Sequence, residues 1–238
     1  VTDTPIEEHS SHYENDKQLS EYAEFHYGDT YYDVPNFPKA LSDLAIEVMQ
    51  NQPLKSALDL GCATGRARFI GLALKLAQQG VVRYTMTTEG DLVSYQDRTL
   101  ASLGLEDVAH KVEFWQGDAC NLKPNFTGYD LIMAANLIDR LYSPRQFLKA
   151  IHERLNLGGV LMITSPYTWL EEHTPREEWL GGFKKDGENV TTLDGLKAVL
   201  SAHFDLVKAP MKVPFVIRET QHKFQHTLSE VTFWKRVR

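Results

Sequence analysis

The sequence predicts an α/β fold built on a doubly wound, mostly parallel sheet, and three features of it carry that expectation. Short apolar runs alternate with amphipathic helical stretches between residues 56 and 202. The first of these runs ends in a glycine turn, and two β-rich runs close the chain. Alternation demands crossover connections and so parallel neighbours, whereas the closing pair, joined by a polar turn, adds an antiparallel edge. Seven strands are expected, preceded by a helical lid. Residues 1–38 form the lid and a substrate-side loop; residues 39–238 form the main domain.

Residues 1–12 are polar and read as a frayed end. From Glu14 to Tyr27, Leu19, Tyr22, Ala23 and His26 recur on one helical face, and Gly28 is a stop signal. The aromatic, proline-rich stretch Tyr31–Pro38 is a loop. Leu41, Leu44, Ala45 and Val48 mark a second amphipathic helix. Ser56–Leu60 is the first strand, Arg66–Gln79 a helix, and Val82–Thr87 the second strand, followed by a helix near Asp91–Leu103. Lys111–Trp115 and Tyr129–Ala134 are the third and fourth strands. Ser143 and Pro144 supply a cap and a first-turn proline for a helix whose stripe is Phe147, Leu148, Ile151 and Leu155. Gly158-Gly159 closes it before a fifth strand, Val160–Thr164. A polar insert (165–190) precedes a helix at Thr192–Ala202, and the last strands are Val213–Ile217 and Glu230–Trp234.

Composition excludes several function classes. With 42% hydrophobic and 24% charged residues, the 238-residue chain matches an ordinary globular protein and not a disordered one. No apolar run approaches the roughly 18–20 residues that cross a bilayer. A net charge of −7 argues against a protein that grips nucleic-acid phosphates. Two cysteines, Cys62 and Cys120, make neither a disulfide framework nor a Cys-x-x-Cys pair, and no secretory signal is visible, so a reduced cytoplasmic setting is expected. Clustered metal-ligand spacing is absent, and no metal is expected. A first residue of Val fits a processed chain or a domain cut from a longer one.

In doubly wound sheets, ligands bind beyond the carboxyl ends of the strands. The first strand runs into Asp59-Leu60-Gly61-Cys62-Ala63-Thr64-Gly65-Arg66. A dinucleotide fingerprint wants glycine at 61, 63 and 66; Arg66 stands at the packing position, and Asp59 would push a carboxylate toward the pyrophosphate. Dinucleotide binding is disfavoured. The pattern Asp59, Gly61, Ala63, Gly65 instead resembles motif I of class I S-adenosylmethionine-dependent methyltransferases, whose sheet is Rossmann-like. That resemblance implies that the loop, with Cys62, wraps the methionine part of the cofactor while Asp59 holds its amino group. It implies an acid after the second strand for the ribose hydroxyls, which Glu89 supplies, with Asp91 as a competitor two residues away. It further implies an adenine turn after the third strand, where Gly117, Asp118, Ala119 and Cys120 stand; Ala135 and Asn136 would complete the wall. Residues 85–90 depart from the family's usual hydrophobic-acid ending.

After the fourth strand there is no Asn/Asp-Pro-Pro-Tyr/Phe motif of nucleobase or glutamine N-methylation, and no Pro-Cys pair that attacks pyrimidines. Four blocks narrow the resemblance: Tyr13–Gly28, Val34–Pro38, Ala134–Leu141 and Thr164–Glu172. Together they are similar to the methyltransferase domain of ovothiol biosynthesis. Members of that family methylate a ring nitrogen of 4-mercaptohistidine, releasing S-adenosylhomocysteine, and many carry an upstream iron-dependent sulfoxide synthase segment.

Methyl transfer from a sulfonium is an in-line displacement, and an imidazole nitrogen with a free lone pair needs no strong base. The protein must hold the tautomer, which a carboxylate or histidine accepting from the other ring nitrogen would do. His26 and Asp139 are the candidates for that catalytic role. Substrate-binding candidates are Tyr13, Tyr22, Tyr27, Asn36, Asn136, Arg140, Tyr167, Trp169 and Glu171; aromatic walls suit a flat substrate, and a guanidinium suits its carboxylate. Arg140 with Asp139 also reads as a local ion pair, and Glu171-Glu172 as a solvated face. Another small-molecule acceptor, or a non-catalytic partner module of the same fold, are the competing functions.

Overall fold

The computed structural model describes residues 11–50, 52, 54–61 and 67–238. In chain order the first elements are α1 (Ser11–Tyr27), α2 (Phe37–Met49), β1 (Ala57–Leu60), α3 (Ala67–Gln79), β2 (Val81–Glu89), β3 (Leu92–Thr99) and α4 (Leu100–Leu103). There follow β4 (Tyr129–Ala135), α5 (Pro144–Ala150), β5 (Leu155–Ser165), β6 (Phe183–Lys185), β7 (Glu188–Val190), α6 (Thr192–Leu200), β8 (Phe204–Leu206), β9 (Met211–Arg218) and β10 (Phe224–Arg236). The chain divides into two compact units. One comprises residues up to 38, 66–115 and 215–226; the other comprises 39–65, 116–214 and 227–238.

The second unit carries the central sheet, in the order β1-β4-β5-β10-β8, with β9 pairing β10. β1, β4 and β5 are parallel; β10 runs antiparallel to both β5 and β8. Four of these strands therefore share one direction and β10 alone opposes them. Leu131, Ile132 and Ala134 of β4 and the continuous run Val160–Ile163 of β5 are buried, as strands covered on both faces must be. Ile132, Ala134, Leu161 and Ile163 join Phe147, Leu148 and Ile151 from the α5 region, Leu196 and Leu200 of α6, and Trp234 of β10 in one core on one face of the sheet. α6 starts from a reciprocal cap, in which Thr191 accepts from the Asp194 backbone N–H and Asp194 accepts from that of Thr191.

The first unit packs α1 and α3 over the β2–β3 hairpin. Ala23, Leu72, Ala73, Leu76, Val82, Tyr84 and Met86 fill its interior. Glu24 lies there as well, only 2% exposed. Its Oε2 accepts from the Tyr84 hydroxyl at 2.6 Å and lies 3.8 Å from Arg98, and its Oε1 accepts from the Tyr31 hydroxyl. A buried carboxylate is tolerable only with such partners.

The predicted α/β class and the N-terminal helix hold, as do strands one, four, five and the closing pair. Three details differ. Among the described residues the central sheet has six strands, not seven, and its antiparallel strand β10 lies between β5 and β8, not at the edge. The stretch expected as a helix near Asp91–Leu103 is mostly strand: Leu92–Thr99 pairs antiparallel with β2 in a separate two-stranded sheet. The cause is local, because Gly90 at φ 53° opens a two-residue turn between Glu89 and Leu92, and the run beyond it is rich in β-formers. Finally, Lys111–Trp115 forms no strand among the described elements, and Val112 and Trp115 are exposed.

Candidate active site

β1 carries Asp59 and Gly61 to the carboxyl end of the sheet. Gly61 sits at φ 79°, and a Cβ there would lie 2.8 Å from Leu137 Cδ1, so both backbone and space demand glycine. Asp59 exposes its side chain to solvent yet has protein crowded around it, and the resulting desolvation pushes its carboxyl up to about 6; water at the open side limits that rise. Cys62, Ala63 and Gly65 lie outside the described residues, as does the Tyr13 side chain.

The loops after β4 and β5 meet in one polar cluster. Asn136 adopts φ 49° directly after Ala135. Its Oδ1 accepts from the hydroxyls of Thr164 at 3.1 Å and Ser229 at 2.7 Å, and its backbone N–H donates to the Thr164 carbonyl at 2.9 Å. Asp139 is 1% exposed. Its Oδ2 accepts from the Thr168 backbone N–H and hydroxyl, both at 3.0 Å, and from Arg140 at 3.1 Å. Its Oδ1 is buried without a partner among the described residues. The Arg140 guanidinium also donates to the Thr168 carbonyl at 2.8 Å and hydroxyl at 2.9 Å, so the local ion pair is realised. Tyr167, at φ 56°, donates its hydroxyl to Glu230 Oε1 at 2.8 Å; burial and then that bond raise the phenol above its ordinary range.

Elsewhere in the same unit, Asp118 follows Gly117 in an exposed turn. Its Oδ1 accepts from the Cys120 backbone N–H at 2.9 Å, beside Ala119, and its Oδ2 accepts from the Tyr142 hydroxyl at 2.8 Å. That bond holds the phenol of Tyr142 up at about 12. Cys120 is buried in the core, where desolvation raises its thiol. Trp169 is buried too, donating to Thr192 Oγ1 at 2.9 Å and stacked on Trp179, which is a packing role. Glu171 is exposed.

In the first unit, His26 Nδ1 lies 2.8 Å from the Tyr22 carbonyl. A carbonyl only accepts, so Nδ1 carries the proton. Burial lowers the imidazole below its usual range, with the Tyr22 bond opposing. Tyr22 and Tyr27 flank its ring, at centroid distances of 6.4 and 6.0 Å. The Asn36 amide donates to the carbonyls of Phe25 and His26, both at 3.2 Å, bracing the loop against α1. Glu89 is exposed at the end of β2, opposite Leu92.

The structure thus gathers Asn136, Asp139, Arg140 and Tyr167, which sequence reasoning selected. It adds Thr164, Thr168, Ser229 and Glu230, which that reasoning missed. The signal for the last two was present: the strand expected from Glu230 runs antiparallel, so its first residues fall at the ligand end of the parallel strands. Among the described residues, no group of three or more His, Cys, Asp or Glu is placed to hold a metal ion.

Residues 51–230 match the family described as "Methyltransferase domain". The chain belongs to that methyltransferase family. Its methyl donor is S-adenosylmethionine. The malonyl-[acyl-carrier protein] O-methyltransferase of Haemophilus ducreyi (strain 35000HP / ATCC 700724) is 28% identical over 121 residues, covering 50% of this chain. The match spans 44% of that relative's length. Among solved structures, the N-methyltransferase NodS of Bradyrhizobium japonicum WM9, in complex with S-adenosyl-L-homocysteine, is 14% identical with a TM-score of 0.46, covering 94% of this chain and 100% of that one. The PH0226 protein of Pyrococcus horikoshii OT3 is 18% identical with a TM-score of 0.41, covering 86% and 92%. In this methyltransferase the acid at the end of β1 fits the donor, since a carboxylate open to solvent at a strand end suits an ammonium group.

Proposed function

We propose that this methyltransferase acts on a ring nitrogen of 4-mercaptohistidine, giving ovothiol. The four sequence blocks support that acceptor, and the observation that carries the reading is Asp139. One of its oxygens is fixed by three hydrogen bonds while the other is buried without a partner. Leaving a buried acceptor unsatisfied costs about 1–3 kcal/mol, more for a charged group, which a ligand N–H would recover. An imidazole presents such an N–H on the nitrogen that is not attacking. Oδ1 is covered, so the ring reaches it after the cover moves aside.

The bound donor supplies a methyl group made electrophilic by its sulfonium. Asp59 would hold the donor's ammonium group, and Asp118 with the Ala119 backbone would receive its adenine, while the Cys120 N–H stays on Asp118 Oδ1. Asp139 accepts from one ring nitrogen of the acceptor, leaving the lone pair of the other to form the new N–C bond; the methyl–sulfur bond would break with its electron pair passing to sulfur, and S-adenosylhomocysteine would leave. The proton on the first nitrogen then leaves through Asp139. His26, neutral and with Nδ1 protonated, is the other group of suitable chemistry. The resemblance also places an iron-dependent sulfoxide synthase upstream, in the same chain or beside it in a cytoplasmic pathway, as the source of the thiolated histidine.

Incubation with the donor and mercaptohistidine, followed by NMR of the product, should show a ring N-methyl group, with plain histidine left unmethylated. Asp139→Asn should lower kcat by roughly a hundredfold or more. Methylation only of another compound in a panel of amines, thiols and carboxylic acids would overturn the acceptor. Full activity of Asp139→Asn would overturn its role.

A further inference from the structure

Two non-glycine residues of the strand-end cluster, Asn136 and Tyr167, hold positive φ angles of 49° and 56°. Asn tolerates that region, whereas a bulky ring such as that of Tyr167 rarely adopts it and persists there only where its surroundings over-determine it. In both cases the side-chain anchor comes from one dipeptide at the ligand end of β10. Ser229 is fully buried and donates to Asn136 Oδ1 at 2.7 Å. Glu230 pairs in register with Ser165, two residues before Tyr167, and its Oε1 accepts the Tyr167 hydroxyl at 2.8 Å.

These bonds decide what the two side chains offer a ligand. With Oδ1 of Asn136 taken by two hydroxyls, its Nδ2 is left to donate. With the Tyr167 proton committed to Glu230, the phenol oxygen is left to accept. One donor and one acceptor are thereby set on adjacent loops, each with its polarity fixed by the same strand.

We propose that Ser229 and Glu230 are positioning residues for methyl transfer, holding Asn136 and Tyr167 in the conformation and hydrogen-bond polarity that orient the acceptor. The inference rests on the family's reaction taking place at these strand ends and not on the identity of the acceptor.

The test follows release of S-adenosylhomocysteine from the donor with mercaptohistidine as acceptor, or with whichever panel compound the wild-type chain methylates, so loss of the proposed acceptor does not remove it. Glu230→Ala should reduce kcat/KM for the acceptor by about ten- to a hundredfold, the scale of small misplacements. Calorimetric affinity for S-adenosylhomocysteine should stay within about twofold. Glu230→Gln, which still accepts from the phenol, should restore most of the activity, and adding Tyr167→Phe to Glu230→Ala should cost little more. Ser229→Ala should behave like Glu230→Ala, with Asn136 as its partner. An unchanged kcat/KM in Glu230→Ala overturns the proposal. So does an equal loss of activity and cofactor affinity, or failure of Glu230→Gln to rescue.

Discussion

Asp59 and His26 carry opposite consequences of the same physics, since burial disfavours whichever form is charged. Desolvation pushes the Asp59 carboxyl up to about 6. The donor's ammonium is held best by the ionised form, so calorimetric affinity for S-adenosylhomocysteine should weaken as pH falls through 6, and Asp59→Asn should bind weakly with a flat profile. His26 is depressed below its ordinary 6.5. A depressed base contributes stability that is present above the unfolded pKa and is lost as pH falls toward the folded one. His26 therefore favours pH 7.5 over 5.5, against the raised Asp59, and in urea unfolding the stability of His26→Gln relative to wild type should rise from pH 7.5 to 5.5; an unchanged difference would remove His26 as a source. Legibility at this scale followed chain position. Asn136, Asp139, Arg140 and Tyr167 stood out because each follows a readable strand. Thr168, Ser229 and Glu230 matter through partners far away in sequence, and no local pattern marks that. Trp169 was legible as an aromatic, but its burial depends on Thr192 and Trp179.

Among elements, α1 shows how a helix can be read correctly and still mislead about its interior. Its apolar stripe was legible, but Glu24 beside Ala23 is buried too, only 2% exposed. Removing that carboxylate takes the acceptor from the Tyr84 and Tyr31 hydroxyls, while Arg98 keeps the Tyr27 carbonyl and Asp29. Glu24→Ala should cost about 3–5 kcal/mol in urea unfolding, as expected when one member of a buried polar network is deleted. Glu24→Gln should recover part of it, since an amide oxygen still accepts from one phenol. The hairpin β2–β3 was hidden for a different reason. A helical stripe and a β-alternation can coexist in one short run, and the choice falls to the turn that precedes it, here Gly90 and Asp91. The sequence marks the glycine turn after β1 as the expected ligand loop; Gly61→Ala should destabilise the chain by about 1 kcal/mol or more, because its φ of 79° suits no side chain, and weaker cofactor binding in the same variant would support that expectation.

For the molecule as a whole, the alternation of strand and helix was enough to predict the class, because parallel neighbours require crossovers wherever they occur. The number of strands in the sheet was not legible, since pairing is a property of two segments and the sequence shows one at a time. A ligand that binds only the folded state stabilises it by mass action. S-adenosylhomocysteine at a hundred times its Kd should add about 2.7 kcal/mol. That corresponds to a rise in Tm of roughly 5–10 °C for a chain of this size. No helix among the described residues is long and apolar enough to cross a membrane.

The position of β10 also governs how the chain can assemble. β8 precedes it in sequence but meets the rest of the sheet only through it. A nascent polypeptide that has emerged as far as residue 210 therefore has the flank of β5 uncovered and β8 without a berth. Strand eight and the anchors of Asn136 and Tyr167 wait on the same later arrival, so β10 seats β8 and completes the polar cluster in a single event.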